Sequence, residues 1–337
     1  MSTSPPDNRD PPKAGSTASP GEPPKDVTTL PPRRAKDTPT IPPGHAKGAP
    51  ALPPESPQNP DTIPPTPPEG SQARFLELMT EQLTGWQNPR AMLERALREN
   101  LFLLLAQKIL PLKPGGPAPA CYEVLLRLQQ EEESLLPPGS FLSVAEGLGM
   151  MPKIDRWVVR AVLTWCAARQ KSAPGKPLPI MCINISAPAL RSVSFRGAMR
   201  EELERAGVPA GTLCFEINER DVVENPAAAQ AFVAAVKPLG CRFTLDSFGS
   251  VRISFAQLND LPVDFVKIDG TIVEGMHRGP LGAATVKAIH IVCSEVGLRT
   301  IAEFVESKET LRKLREIGVD YVQGFGIARP APIAQVA

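Results

Sequence analysis

Histidine is scarce: His45, His277 and His290 are the only three in 337 residues, too few and too scattered for a histidine-based metal site. The six cysteines (Cys121, Cys166, Cys182, Cys214, Cys241, Cys293) include no Cys-x-x-Cys pair. That spacing argues against a zinc site or a disulfide framework and for buried, reduced thiols. No apolar run approaches the ~18 residues that a membrane span requires; the strongest is Leu101–Ala106. Charge of neither sign dominates. The formal net charge is +1, which removes the bulk positive charge expected of a DNA or RNA binder. The opening residues, MSTSPPDNRD, contain no apolar segment of signal-peptide type, so a cytoplasmic protein is expected.

Aromatic residues are absent from residues 1–70, whereas 21 of the 40 prolines fall there. Such a stretch cannot bury enough apolar surface to offset chain entropy, and a disordered tail of polyproline II character is expected. It holds an eleven-residue repeat: Thr29-Leu30-Pro31-Pro32, Thr40-Ile41-Pro42-Pro43, Ala51-Leu52-Pro53-Pro54 and Thr62-Ile63-Pro64-Pro65. Both a stiff spacer and an array of docking sites for a protein partner with an aromatic-lined groove fit this pattern.

Composition changes at Ser71, and residues 71–99 read as a helical lead-in. Phe75, Leu78, Met79 and Leu83 share one helical face, and Pro89 is placed to start a second helix through Met92, Leu93, Ala96 and Leu97. Over 100–335, short apolar runs alternate with amphipathic segments. The runs are Leu101–Ile109, Tyr122–Leu128, Ile180–Ile185, Leu213–Ile217, Arg242–Leu245, Val263–Ile268, Leu298–Ala302 and Tyr321–Val322. Helical stretches include Lys153–Arg169, Leu190–Ala206, Ala227–Val236, Ala283–Val296 and Lys308–Ile317. This α/β alternation predicts a (β/α)8 TIM-like barrel. An open doubly wound sheet fits less well, because no G-x-G-x-x-G follows the early strands.

Barrel chemistry sits at the C-terminal strand ends, and polar residues interrupt or end several of these runs. They are Glu123 with Arg127 four residues on, Asn184, Glu216, Glu219, Asp246, Lys267, Asp269, Glu303 and Gln323. One such carboxylate usually means a cap or a salt bridge. A ring of them repels itself, so a cation is the natural compensation, and oxygen ligands favour a hard ion, Mg²⁺ or Mn²⁺. A lysine beside the ring suits an anionic ligand such as a phosphodiester.

The ordered series YEVLLR, INIS, FEINE, LDSFGS, VDFVKIDG, TIAEFVE and GVDYVQGFGIARP resembles the motifs of EAL domains, barrel enzymes and receptors for the bacterial messenger cyclic di-GMP. The resemblance covers about residues 90–335, with Glu123-Val124-Leu125 standing for the signature Glu-Ala-Leu. It implies that Glu123, Asn184, Glu216 and Asp246 are ligands of a first metal. Lys267 is then implied to position the attacking water, and Glu303 to be the general base or its partner. Arg127, Leu125, Asp269 and Gln323 are implied around the nucleotide, Asp269 beside a second metal, and Glu219 as the anchor of a loop. A homodimer through the barrel is a further implication.

The sequence departs from the family in that loop. Ser247 stands where the family has the aspartate that binds the second metal, and a neutral hydroxyl is a weak Mg²⁺ ligand. Val251 replaces a glycine, which predicts strain if the position needs positive φ; Arg252 and Ile253 add bulk. A cyclic di-GMP receptor with weak or lost hydrolysis is therefore the leading expectation. An active metal-dependent phosphodiesterase yielding the linear dinucleotide pGpG is the alternative.

Overall fold

The computed structural model describes residues 86–113, 119–129, 135–136, 138–251, 254–256, 258 and 261–336. The expectations for the 1–70 tail, for a helix over 75–83 and for Arg252 and Ile253 lie outside the described residues.

Helix α1 (Pro89–Glu99) begins at proline, whose missing N–H would be unpaired there in any case, and Asn88 Oδ1 accepts the N–H of Ala91. Strand β1 (Phe102–Pro111) then runs antiparallel to β2 (Cys121–Gln129), with Phe102 opposite Leu128 and Ile109 opposite Cys121. A short β3 (Leu135–Leu136) pairs with the end of β2. Beyond it, β4 (Ile180–Ile185), β5 (Leu213–Asn218), β6 (Arg242–Phe248), β7 (Phe265–Ile268), β8 (Arg299–Ala302) and β9 (Tyr321–Val322) follow β2 in parallel and in chain order. Pairing of β9 back onto β1 closes a barrel of eight strands, β1, β2 and β4–β9, and β10 (Ala331–Pro332) pairs antiparallel with β1 at Leu105 and Ala106.

The barrel is not a uniform repeat of strand and helix: β1 runs against its neighbours. A parallel crossover takes a dozen or more residues, usually with a helix, and the link between β1 and β2 is too short to supply one. Later links carry helices α2 (Pro138–Gly147), α3 (Met151–Ser172), α4 (Ala187–Arg191), α5 (Val193–Ala206), α6 (Glu219–Glu224), α7 (Pro226–Val236), α8 (Gly270–Gly275), α9 (Pro280–Glu295) and α10 (Lys308–Ile317). The stretch Leu190–Ala206 reads as one helix in sequence but forms α4 and α5. The break falls at Ser192, which is extended (φ −83°, ψ 113°) and whose Oγ caps α5 by accepting the N–H of Phe195.

Two apolar zones fix the barrel. Outside it, Phe215, Phe232 and Phe243 pack edge-on between strands and helices. Inside it, Ile109, Cys121, Ile180, Cys182, Cys214, Phe265, Ile301 and Tyr321 form a plug at the N-terminal end of the parallel strands. All six cysteines are free and buried. This plug leaves only the opposite, C-terminal end for polar side chains.

Candidate functional site

Side chains at i and i+2 share one face of a strand. On β2 this puts Glu123, two residues beyond plug residue Cys121, on the inward row together with Leu125 and Arg127. Asn184 lies level with Glu216 across the β4–β5 pair, and Asp246 level with Asn218 across β5–β6. Lys267 is the penultimate residue of β7, followed by Ile268 and Asp269. Glu303 and Gln323 directly follow β8 and β9, and the Gln323 N–H donates to Ala302 O at 2.9 Å.

Lys267 is the centre of this arrangement. Its side chain is 1% exposed, and its Nζ lies 3.1 Å from Glu123, 3.3 Å from Glu216, 3.0 Å from Asp246 and 3.1 Å from Glu303. Glu123 is held from other sides as well: Asn184 Nδ2 donates to it at 2.8 Å and Gln323 Nε2 at 2.7 Å. Gln107 on β1 extends the network, accepting from Gln323 at 3.1 Å and donating to Ala328 O at 3.0 Å. The sequence gives no sign of Gln107's role, because a single glutamine in an apolar run looks like an outward-facing residue.

These contacts divide the carboxylates. Burial raises the pKa of Glu123, but Lys267 and the hydrogen bonds from Gln323 and Asn184 outweigh it and hold the group below the ordinary glutamate value. Glu216 goes the other way: burial, with Glu123 and Asp246 nearby, lifts it well above that value despite Lys267. Burial also pushes Glu303 up to about 7, against the pull of Lys267. Burial would lower Lys267, but the surrounding acids hold it well above the usual lysine value and keep it charged.

The remaining residues of the sequence reading lie outside this network. Among the described residues, no hydrogen bond or ion pair joins Arg127, Leu125, Asp269 or Glu219 to the Lys267 cluster. Arg127 donates to Leu126 O at 2.7 Å. Asp269 caps α8, its Oδ1 accepting the N–H of Thr271 at 3.0 Å. Glu219 Oε2 accepts the N–H groups of Gly249 at 2.9 Å and Val251 at 3.4 Å, tying the turn after β6 to the start of α6. Ser247 has φ 54°, and its hydroxyl donates to Asp246 Oδ2 at 3.1 Å. Val251 is not among the positive-φ residues, so the strain expected of a β-branched side chain there does not arise. Among the described residues of this segment, the left-handed positions are Ser247, near the end of β6, and Gly249.

Asp155 on α3 positions the loop that follows Asn184, and nothing in its helical surroundings marks it in sequence. Its Oδ2 accepts both the N–H (2.9 Å) and the hydroxyl (2.7 Å) of Ser186. Burial pushes its carboxyl up to about 7 from an ordinary 3.8, against those two bonds. The folded state therefore holds a proton that the unfolded chain releases, and the associated stability is lost as pH rises from about 4 to about 7. Asp155→Asn, which can still accept from Ser186, is expected to flatten this dependence in denaturant unfolding at pH 5 and pH 8. An unchanged pH slope would rule Asp155 out as its source.

The donor set can be tested against a divalent cation. As they stand, no three Asp, Glu, His or Cys side chains among the described residues are arranged to hold a metal ion; the carboxylates are gathered on Lys267 instead. Their chemistry nevertheless fits one. Four carboxylates share a single ammonium, and Glu216 Oε1 is buried without a hydrogen-bond partner, an atom that a cation would satisfy. The oxygens of Glu123, Asn184, Glu216 and Asp246 suit Mg²⁺ or Mn²⁺. Beside them opens a cavity of about 260 Å³, lined by Gln107, Glu123, Glu303, Phe304, Gln323 and Phe325 among others.

Comparison with known proteins points the same way as the geometry. The EAL domain family model matches residues 90–330. The chain is 34% identical over 240 residues to the cyclic di-GMP phosphodiesterase PdeB of Shewanella oneidensis, a match covering 71% of this chain and 28% of that protein. It is 30% identical over 241 residues to PdeF of Escherichia coli, also a cyclic di-GMP phosphodiesterase, covering 72% of this chain and 31% of that one. The chain thus spans about a third of the length of these curated relatives. The FimX EAL domain of Pseudomonas aeruginosa, solved bound to c-di-GMP, superposes with a TM-score of 0.67 at 29% identity, over 72% of this chain and 96% of that one. The PaMucR phosphodiesterase in its c-di-GMP complex gives a TM-score of 0.67 at 25% identity, over 74% and 99%. No helix among the described residues is long and apolar enough to cross a membrane.

Proposed function

The chain belongs to the EAL domain family, and from that premise we propose that it binds cyclic di-GMP as a receptor or adaptor with weak or lost hydrolysis. The observation that carries this reading is Ser247. Its short hydroxyl, bonded to Asp246, stands where the resemblance to EAL domains implies a second-metal aspartate. Displacement at a phosphodiester by two metals divides stabilisation between attacking and leaving oxygens, so one weak ion site slows the reaction without preventing binding.

Other side chains at the barrel mouth support binding. Gln323 and Asn184 orient Glu123, and Lys267 holds the acids together at the barrel mouth. A Mg²⁺ or Mn²⁺ held by Glu123, Asn184, Glu216 and Asp246 would supply Lewis-acid neutralisation of a phosphodiester oxygen. Arg127, on the same strand row as Glu123, offers a charge-assisted contact to phosphate.

A second reading, an active phosphodiesterase, is favoured by one contact. Glu303, raised to about 7, sits 3.1 Å from Lys267. A carboxyl poised near neutrality beside a fixed ammonium suits removal of a proton from water. Calorimetric titration with cyclic di-GMP, with and without Mg²⁺, tests the binding that both readings require. Arg127→Ala is expected to weaken it by roughly tenfold to a hundredfold, the worth of a charged hydrogen bond. Unchanged affinity would remove Arg127 from the site.

A further inference from the structure

Phe304 is held in a conformation that its own packing does not reward. Its φ is 50°, and it is one of only three non-glycine residues with positive φ among the described residues. For a bulky aromatic this region is strongly disfavoured. The residue is also 56% exposed, so core packing does not compensate the strain. Strained residues of this kind persist where neighbouring structure fixes them, and they concentrate at binding sites.

The neighbouring structure does fix it. The ring lies against Gly270, the first residue of α8, where any Cβ would run into ring carbons. The glycine therefore makes room for the aromatic. Phe304 directly follows Glu303, and Gly270 directly follows Asp269, so the ring lies across two strand ends of the barrel mouth. What is left of its surface opens on the cavity that Glu123, Gln323 and Phe325 also line. Phe325 is likewise 56% exposed, with the Arg329 guanidinium 5.3 Å from its ring centre.

We propose that Phe304 is a stacking surface for a purine base of the bound cyclic dinucleotide, and so a binding residue of the site. The proposal rests on the cyclic di-GMP reading given above. A planar apolar ring beside a phosphodiester site places its π-face where a base attached to that phosphate can reach it. Because backbone and glycine already hold the ring, stacking orders little that was free. A merely space-filling ring would need apolar bulk only, whereas stacking needs a π-face.

The full chain and three variants are titrated with cyclic di-GMP by calorimetry. Phe304→Gly adopts φ 50° without strain, so it is expected to fold at least as stably yet bind on the order of tenfold more weakly. Phe304→Leu, which keeps bulk and loses the π-face, is expected to bind as weakly as Phe304→Gly, and Phe304→Tyr to stay within about threefold of the unaltered chain. Binding by Phe304→Gly or Phe304→Leu at the unaltered affinity would overturn the stacking role alone. Absence of any saturable binding by the unaltered chain would instead overturn the cyclic di-GMP reading, and the stacking role with it.

Discussion

Lys267→Met is expected to lower the free energy of unfolding by about 3–5 kcal/mol, the range for removing one partner of a buried ionic cluster. The side chain is 1% exposed and within 3.3 Å of four carboxylates. Replacing the ammonium by an apolar group of similar length keeps the volume and removes the only positive charge at their centre. The variant should regain stability as the pH falls, because protonation then relieves the mutual repulsion of the acids. It should also regain stability on addition of Mg²⁺ or Mn²⁺, since an ion that binds only the folded state stabilises it by mass action. Urea unfolding at two pH values, with and without the cation, reads all three effects. A variant within about 1 kcal/mol of the parent, a minor surface-type effect, would show that the acids separate or protonate without needing Lys267.

Ser247→Asp is expected to raise metal-dependent hydrolysis of cyclic di-GMP by on the order of 10²–10³-fold, equivalent to about 3–4 kcal/mol of barrier. The substitution places a carboxylate next to Asp246 at the end of β6. The backbone is already suited to it, because Ser247 occupies φ 54° and aspartate is among the side chains that tolerate this region best. Val251 has no positive φ, so Val251→Gly is not required as a companion change. Glu123→Ala in the Ser247→Asp background should abolish the gained activity. If Ser247→Asp gives no gain while cyclic di-GMP still binds, the missing charge at position 247 is not what limits hydrolysis.

Much of the barrel is legible in the sequence because its strands bury both faces. Runs such as Ile180–Ile185 and Val263–Ile268 admit few other placements, and a polar residue within such a run marks the barrel mouth. Hence Glu123, Asn184, Glu216, Asp246, Lys267, Glu303 and Gln323, from seven different strands or strand ends, meet as such a pattern predicts, whereas Arg127, Glu219 and Asp269 carry the same signal and bond elsewhere. Strand direction is not written in a hydrophobic run, so the antiparallel β1 emerges only from pairing and from the short link to β2. Nor does amphipathic spacing reveal Ser192, which ends one helix and starts the next through its own hydroxyl. Val251 misleads because a glycine elsewhere in a family does not prove a left-handed backbone here. Phe304 and Gln107 stayed hidden for a shared reason: each is an ordinary residue whose role depends on a partner far away in sequence, Gly270 in one case and Gln323 in the other.

Binding without efficient turnover can be tested in both halves on one sample. The full chain is titrated with cyclic di-GMP in the presence of Mg²⁺ in a calorimeter, and the cell contents are then separated by chromatography. Saturable heat and recovery of the cyclic dinucleotide intact are expected. Conversion to pGpG over the titration would contradict the receptor reading and establish that Ser247 suffices for catalysis, and an absence of heat would contradict the binding claim itself.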